Sequence, residues 1–330
     1  MPLTRIAPLF LAALATYQST CRGSAGAGQA PGASGGDQEV SLPGVETGAL
    51  TAHEKKEWST WVSELLAPCA NEPVSVAQCV KESRKCAKCL PAARLLAKQV
   101  RVGHTRIQAE EAVAARFSAD RIKSIEVGDS PSKGPSSAPV TIVEWADFQC
   151  PHCRHAAPVL EKLVETHPGK VRLAYKFYPL SAHPQGESAA RAAVAAMKQG
   201  KFWEMHHALF EHQDALEQRD IEKYAKEIGL DIAKWKADWE SEATADRVTR
   251  DRKQGDQVTI SGTPTVYING REYDLSKNDM SDDLEDWINL EIELATGASA
   301  DVPAKAVVPA PSAAKPAVGG GEPGKSPGKK

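Results

Sequence analysis

The sequence has no excess of charge of either sign. Forty Lys and Arg residues face 43 Asp and Glu residues among 330, a net charge of −3, which leaves out the basic stripe that nucleic-acid binding needs. Beyond the extreme N-terminus there is no run of about 20 apolar residues, which excludes a protein with several membrane spans. The seven cysteines are too few for a disulfide-held miniprotein of this length. A hydrophobic fraction of 42% with 25% charged residues is ordinary for a soluble chain, so cores can form, and the length predicts about two domains.

Arg5 precedes an apolar run over residues 6–15, and small and polar residues follow up to Cys21. That order predicts a secretory signal over residues 1–20, too short to span a bilayer. Cys21 resembles the lipidated cysteine of bacterial lipoproteins, although Gln18 and Thr20 depart from that pattern. The Gly-, Ser- and Ala-rich residues 21–50 read as a flexible tether. The expectation is an exported protein, periplasmic or at the cell surface, touching the membrane only through a lipid at Cys21.

From Ala52 the composition changes. Trp58, Trp61, Leu65 and Leu66 recur at helical spacing, as do Leu95, Leu96 and Val100. Residues 51–123 therefore read as a small domain of three short helices, with Gly103 ending the second or third. Residues 129–139 are a turn-rich joint. Residues 140–145 are strand-like, and a helix carrying Ala156, Val159, Leu160 and Leu163 follows. Residues 171–178 read as a second strand, about 185–255 as a helical stretch broken at Gly200 and Gly229, and 265–268 as a third strand. Asn269-Gly270 signals a two-residue hairpin back through 271–273. Ser281 can cap a last helix bearing Leu284, Trp287, Ile288 and Leu294. Residues 299–330, rich in Pro, Ala, Gly and Lys, read as a disordered tail.

The chemistry centres on Cys150-Pro151-His152-Cys153. A Cys-x-x-Cys pair can be half a zinc site, a structural disulfide or a redox centre. Here it lies between a strand and a helix, so Cys150 meets the positive end of the helix, where a thiolate is favoured over a thiol. His152 can add positive charge or a hydrogen bond. Cys153, one turn on, faces inward and is the less reactive sulfur. The redox reading follows: Cys150 exchanges with substrate sulfur and Cys153 resolves the mixed disulfide. A zinc site would need a second ligand pair, and His155 and His167 do not make one.

Glu144, between Val143 and Trp145, reads as a buried carboxylate able to take a proton from the resolving cysteine through water. Lys176 on the neighbouring strand is a candidate partner for it, and Pro158 should bend the helix. Gly262-Thr263-Pro264-Thr265 directly precedes the third strand, where proline is permitted and a cis bond is possible.

Residues 144–153 and 262–265 together resemble the DsbA-like family of thiol–disulfide oxidoreductases. The resemblance covers about residues 124–298. It implies an α/β thioredoxin-like fold with an inserted helical domain, a cis bond before Pro264 facing the cysteines, and Thr263 backbone groups that pair with an extended substrate segment. It also implies a buried acid at Glu144 and no cofactor or metal. The implied partners are exported proteins with free thiols and a quinone-linked membrane oxidase. The Pro-His dipeptide is that of strongly oxidising members, whereas Thr263 before the proline is seen in disulfide isomerases. Donation of the Cys150–Cys153 disulfide is the expected activity, with isomerase or reductase action as alternatives.

Cys69, Cys79, Cys86 and Cys89 form an even cluster in an exported chain, which predicts two disulfides that staple the small helical domain. Three pairings are possible. A second redox pair at Cys86-Ala-Lys-Cys89 and a zinc site are the alternatives. Cys69 to Phe117 also resembles the helical thiol domains of cytochrome c maturation proteins, which would make the domain a client-specific relay. Met205-His206-His207 with His212 carries metal-ligating side chains, but Phe202, Trp203, Leu209 and Phe210 around them read as an amphipathic helix, with the two adjacent histidines pointing apart.

Overall fold

The computed structural model describes residues 39–275, 280 and 283–296, and the backbone of Val307–Val308. The signal over 1–20, Cys21, Ser281 and all of the 299–330 tail except that pair lie outside the described residues.

Thr51 and Glu54 close a capping box that starts helix α1 (Ala52–Glu64). Ser75 caps α2 (Val76–Lys81), α3 (Cys89–Arg101) follows, and a second capping box from Thr105 and Gln108 opens α4 (Arg106–Phe117). Four helices therefore stand where three are predicted. The extra one, α2, has six residues, too few for an apolar period to register. Gly103 follows α3 at φ 75°, a left-handed position that glycine adopts without strain.

The core of this unit is Trp58, Trp61, Val62, Leu96, Val100 and Phe117. Trp58 is wholly buried and its indole N–H donates to the Ala93 carbonyl at 3.0 Å. Leu42 and Leu50 pack against the same core, and the Val40 amide donates to Ser59 Oγ at 3.0 Å. Residues 39–50 are thus docked, unlike the tether expected there.

Disulfides join Cys69 to Cys86 and Cys79 to Cys89. Cys86 and Cys89 have different partners, so Cys86-Ala-Lys-Cys89 is not a dithiol centre, and no thiolate among the four is left for zinc. The Cys69–Cys86 bond closes a separation of 17 residues. Replacing both by alanine is expected to lower stability by about 2–4 kcal/mol, read as a shift in the urea unfolding midpoint.

Two short strands, β1 (Ile125–Glu126) and β2 (Ser132–Lys133), lead into β3 (Val140–Ala146). Helix α5 (Pro151–Thr166) returns the chain to β4 (Val171–Phe177), parallel to β3, and a parallel pair needs a crossover of that kind. Five helices follow: α6 (Gly186–Met197), α7 (Phe202–Glu211), α8 (Gln218–Glu227), α9 (Ile232–Glu240) and α10 (Glu242–Gln257). Then come β5 (Thr265–Ile268), β6 (Arg271–Tyr273) and α11 (Leu284–Thr296). The β5–β6 turn uses Asn269 and Gly270 at φ 49° and 77°, the two positive values a tight hairpin requires. Val307–Val308 (β7) pairs in parallel with β1 inside a segment expected to be disordered.

The sheet order is β2-β4-β3-β5-β6, with only β3–β4 parallel. Both central strands are buried along their whole length. Ile142, Leu160, Leu163, Val266, Ile268 and Ile288 fill one side, between the sheet and α5 with α11. Val143, Trp145, Ala174 and Tyr267 lie on the other.

The two helical and sheet-bearing parts meet at a buried ion pair. Arg116 of α4 donates to Glu291 of α11 at 2.6 Å, with the two side chains 6% and 7% exposed. The guanidinium lies 4.0 Å from the Trp287 ring centre, and Asn269 Nδ2 donates to the other Glu291 oxygen at 3.0 Å.

Candidate active site

Cys150 is the N-cap of α5 and Pro151 its first residue, the position where a missing N–H costs nothing. The Cys150 amide is held by the Asp147 carbonyl at 3.0 Å. Gln213, between α7 and α8, donates its side-chain amide to the carbonyls of Phe148 and Cys150 at 2.7 and 2.9 Å. The loop bearing the first sulfur is therefore fixed from both sides.

Both cysteines are free thiols. Cys150 is 4% exposed and Cys153 not at all. The Cys150 thiol donates to the Thr263 carbonyl at 3.2 Å across a separation of 113 residues, and the Thr263–Pro264 bond is cis. Cys150 is pulled from the ordinary 9.0 down to about 5. The hydrogen bond from the Cys153 thiol contributes most, followed by the Thr263 side chain and the backbone N–H groups of Cys153 and His152, against the opposing effect of burial. Thr263 Oγ1 is buried and has no other partner among the described residues, so it is free to donate to the sulfur anion. Pro151 and His152 are exposed beside it.

Cys153 is pushed the other way, well above 9.0, chiefly by burial, then by its hydrogen bond to Cys150 and the charges of Glu144 and Cys150. Its sulfur accepts from the Asp147 amide at 3.5 Å. Glu144 is 1% exposed on β3, opposite Tyr175 on β4 and Val266 on β5. Burial, with the charges of Glu161 and Cys150 adding to it, raises its carboxyl to about 8. Its Oε1 has no hydrogen-bond partner among the described residues. A buried acid with that value can exchange a proton near neutral pH.

Lys176 does not partner Glu144. It sits opposite Trp145 in the β3–β4 register, on the other side of the sheet, where Nζ is 3.1 Å from Ser130 Oγ and 3.4 Å from Asp251 Oδ1. Pro158 lies inside α5, which continues through it to Thr166. His212 stacks on Tyr224 with ring centres 4.8 Å apart and does not join His206 and His207.

Sequence reasoning missed Asp147, Gln213 and Tyr175. The Asp147 carboxylate accepts from the amides of Gln149 and Leu180 at 2.8 Å each and contacts His183 Nδ1 at 2.6 Å. The Tyr175 hydroxyl is buried without a partner among the described residues, and burial first, then the charges of Glu144 and Cys153, hold its proton on. Asp147 stands within the cysteine motif and was open to notice. Gln213 has no local sequence signal.

The arrangement sets two sulfurs side by side with opposed acidities and an acid near the buried one. It can form and break a disulfide with an incoming sulfur.

Residues 126–289 match the Thioredoxin_4 family model, described as thioredoxin. Among curated proteins, the "Na(+)/H(+) antiporter NhaA 3" of Salinispora tropica is 41% identical over 142 residues, 43% of this chain and 22% of that protein. The "Na(+)/H(+) antiporter NhaA" of Herminiimonas arsenicoxydans is 40% identical over 139 residues, with 42% and 22% covered. The chain thus spans about a fifth of the length of these relatives, and no described helix is long and apolar enough to cross a membrane. Among solved structures, a thioredoxin-like oxidoreductase from Silicibacter pomeroyi is 28% identical, with 48% of this chain and 90% of that one covered at a TM-score of 0.43. BdbD from Bacillus subtilis is 25% identical, with 50% and 92% covered at 0.43.

Proposed function

We propose that this chain, whose residues 126–289 match a thioredoxin family model, is a thiol–disulfide oxidoreductase that acts as an oxidant, donating the Cys150–Cys153 disulfide to exported proteins with free thiols. A client thiolate attacks Cys150 Sγ of the oxidised enzyme, and the Cys153 sulfur leaves with the electron pair. Glu144 is the group that supplies the proton Cys153 then takes up. A second client thiolate attacks the client sulfur of the mixed disulfide and expels the Cys150 thiolate. The client gains a disulfide and the enzyme two electrons, which a membrane oxidase must remove before the next turn.

The observation that carries this direction is the acidity of Cys150, held near 5 by donors converging on one sulfur. A thiolate that stable is a good leaving group and favours the reduced enzyme, which makes the disulfide oxidising. The cis-bonded Thr263 segment, against the Cys150 sulfur, supports pairing with an extended stretch of client. Export is supported by the Cys69–Cys86 and Cys79–Cys89 disulfides, since such bonds persist in oxidising compartments. Lipid attachment at Cys21 rests on the sequence, and the intact mass of the mature N-terminus decides it.

The test is a glutathione redox titration of the Cys150–Cys153 pair. An oxidant is expected above about −200 mV, towards about −120 mV, whereas a value near −270 mV would make the protein a reductant.

A further inference from the structure

His206 and His207 of α7 take no part in the exchange chemistry, and Glu161 of α5 reaches it only through its charge on Glu144. His207 Nε2 lies 3.0 and 2.9 Å from the two Glu161 carboxylate oxygens. His206 Nδ1 lies 3.7 Å from Glu161 Oε1, has no hydrogen-bond partner among the described residues and belongs to a side chain only 2% exposed. The three donor atoms fall within 4.8 Å of one another. His206 is walled by aromatic rings, with Phe210 and Trp203 centred 4.8 and 5.1 Å away.

We propose that Glu161, His206 and His207 form a binding site for a divalent transition-metal cation of the zinc class. Two imidazoles and one carboxylate are a recognised zinc donor set, and tetrahedral zinc places donors about 3.4 Å apart at bond lengths near 2.1 Å. The present spacing brackets that value. His207, whose side chain is 53% exposed, leaves the fourth position open to water. An ion pair between His207 and Glu161 explains less. Lys133 Nζ already contacts Glu161 Oε2 and neutralises the carboxylate, and such a pair leaves the buried Nδ1 of His206 with nothing to bind. A metal entering the site takes over the place that the flexible Lys133 side chain holds.

The test uses the full chain, stripped with a chelator and with Cys150–Cys153 oxidised so that neither thiol ligates metal. Zinc chloride titrated by isothermal calorimetry is expected to bind at one site per chain, and His207→Ala is expected to weaken that binding by about tenfold or more. His206→Ala risks unfolding the aromatic cluster, so the exposed His207 is the decisive position. No exchange step uses it, and unchanged disulfide exchange in His207→Ala certifies the fold. Equal zinc affinity in the two chains, or no saturable binding to the unsubstituted one, overturns the proposal whatever the redox titration gives.

Discussion

Serine in place of Cys150 is expected to abolish disulfide exchange. At pH 7 a sulfur with a value near 5 is about 99% thiolate, against about 1% at the ordinary 9.0. A hydroxyl offers no comparable nucleophile and cannot form the mixed disulfide at all. Cys153→Ser should behave differently, because it keeps the attacking sulfur and removes only the resolving one. Given an oxidised client, it should accumulate client covalently joined to Cys150, visible as a reducible band on a non-reducing gel. Full exchange activity in Cys150→Ser would remove the basis of the proposed function. Acidity has a further signature in the dithiol form. Cys150 ionises more easily folded than unfolded, so its stabilisation is complete above about pH 9 and is lost as pH falls through about 5. The reduced protein should therefore lose its stability advantage over the oxidised one in that window, which paired urea titrations at several pH values would reveal.

The second large effect concerns the joint between the helical unit and the sheet. Glu291→Ala should cost about 3–5 kcal/mol. It strands Arg116 in a place only 6% exposed and takes an acceptor from Asn269. Changing both partners, Arg116→Met with Glu291→Leu, should restore much of the loss, since an apolar pair there strands neither Arg116 nor Glu291. Equilibrium unfolding in urea reads both variants. A single-variant loss under about 1 kcal/mol, as for an exposed pair, would mean that the two parts do not depend on this contact.

The cysteine motif, its position between strand and helix, and the acid at Glu144 were legible because they lie within ten consecutive residues. Thr263, over a hundred residues away, reached the site through family resemblance alone. What local pattern cannot supply is register. Glu144 and Lys176 sit on adjacent strands, yet the β3–β4 pairing sets Lys176 beside Trp145, on the opposite side of the sheet. Adjacent histidines on one helix seemed to diverge, and only Glu161 arriving from α5 brings them to one point. Composition misled over residues 39–50, where the glycines of the preceding stretch dominate the average and hide the two leucines, Leu42 and Leu50, that anchor the segment.

The two bridges of the helical unit have a consequence for biogenesis. Cys69–Cys86 and Cys79–Cys89 are closed between other cysteines than the reactive pair, so every newly made copy must itself be oxidised twice before it is mature. Under the proposed function, each copy receives disulfides before it can donate one. Each disulfide formed releases two electrons, so closing these two bridges draws on the same terminal oxidant that would recharge Cys150–Cys153.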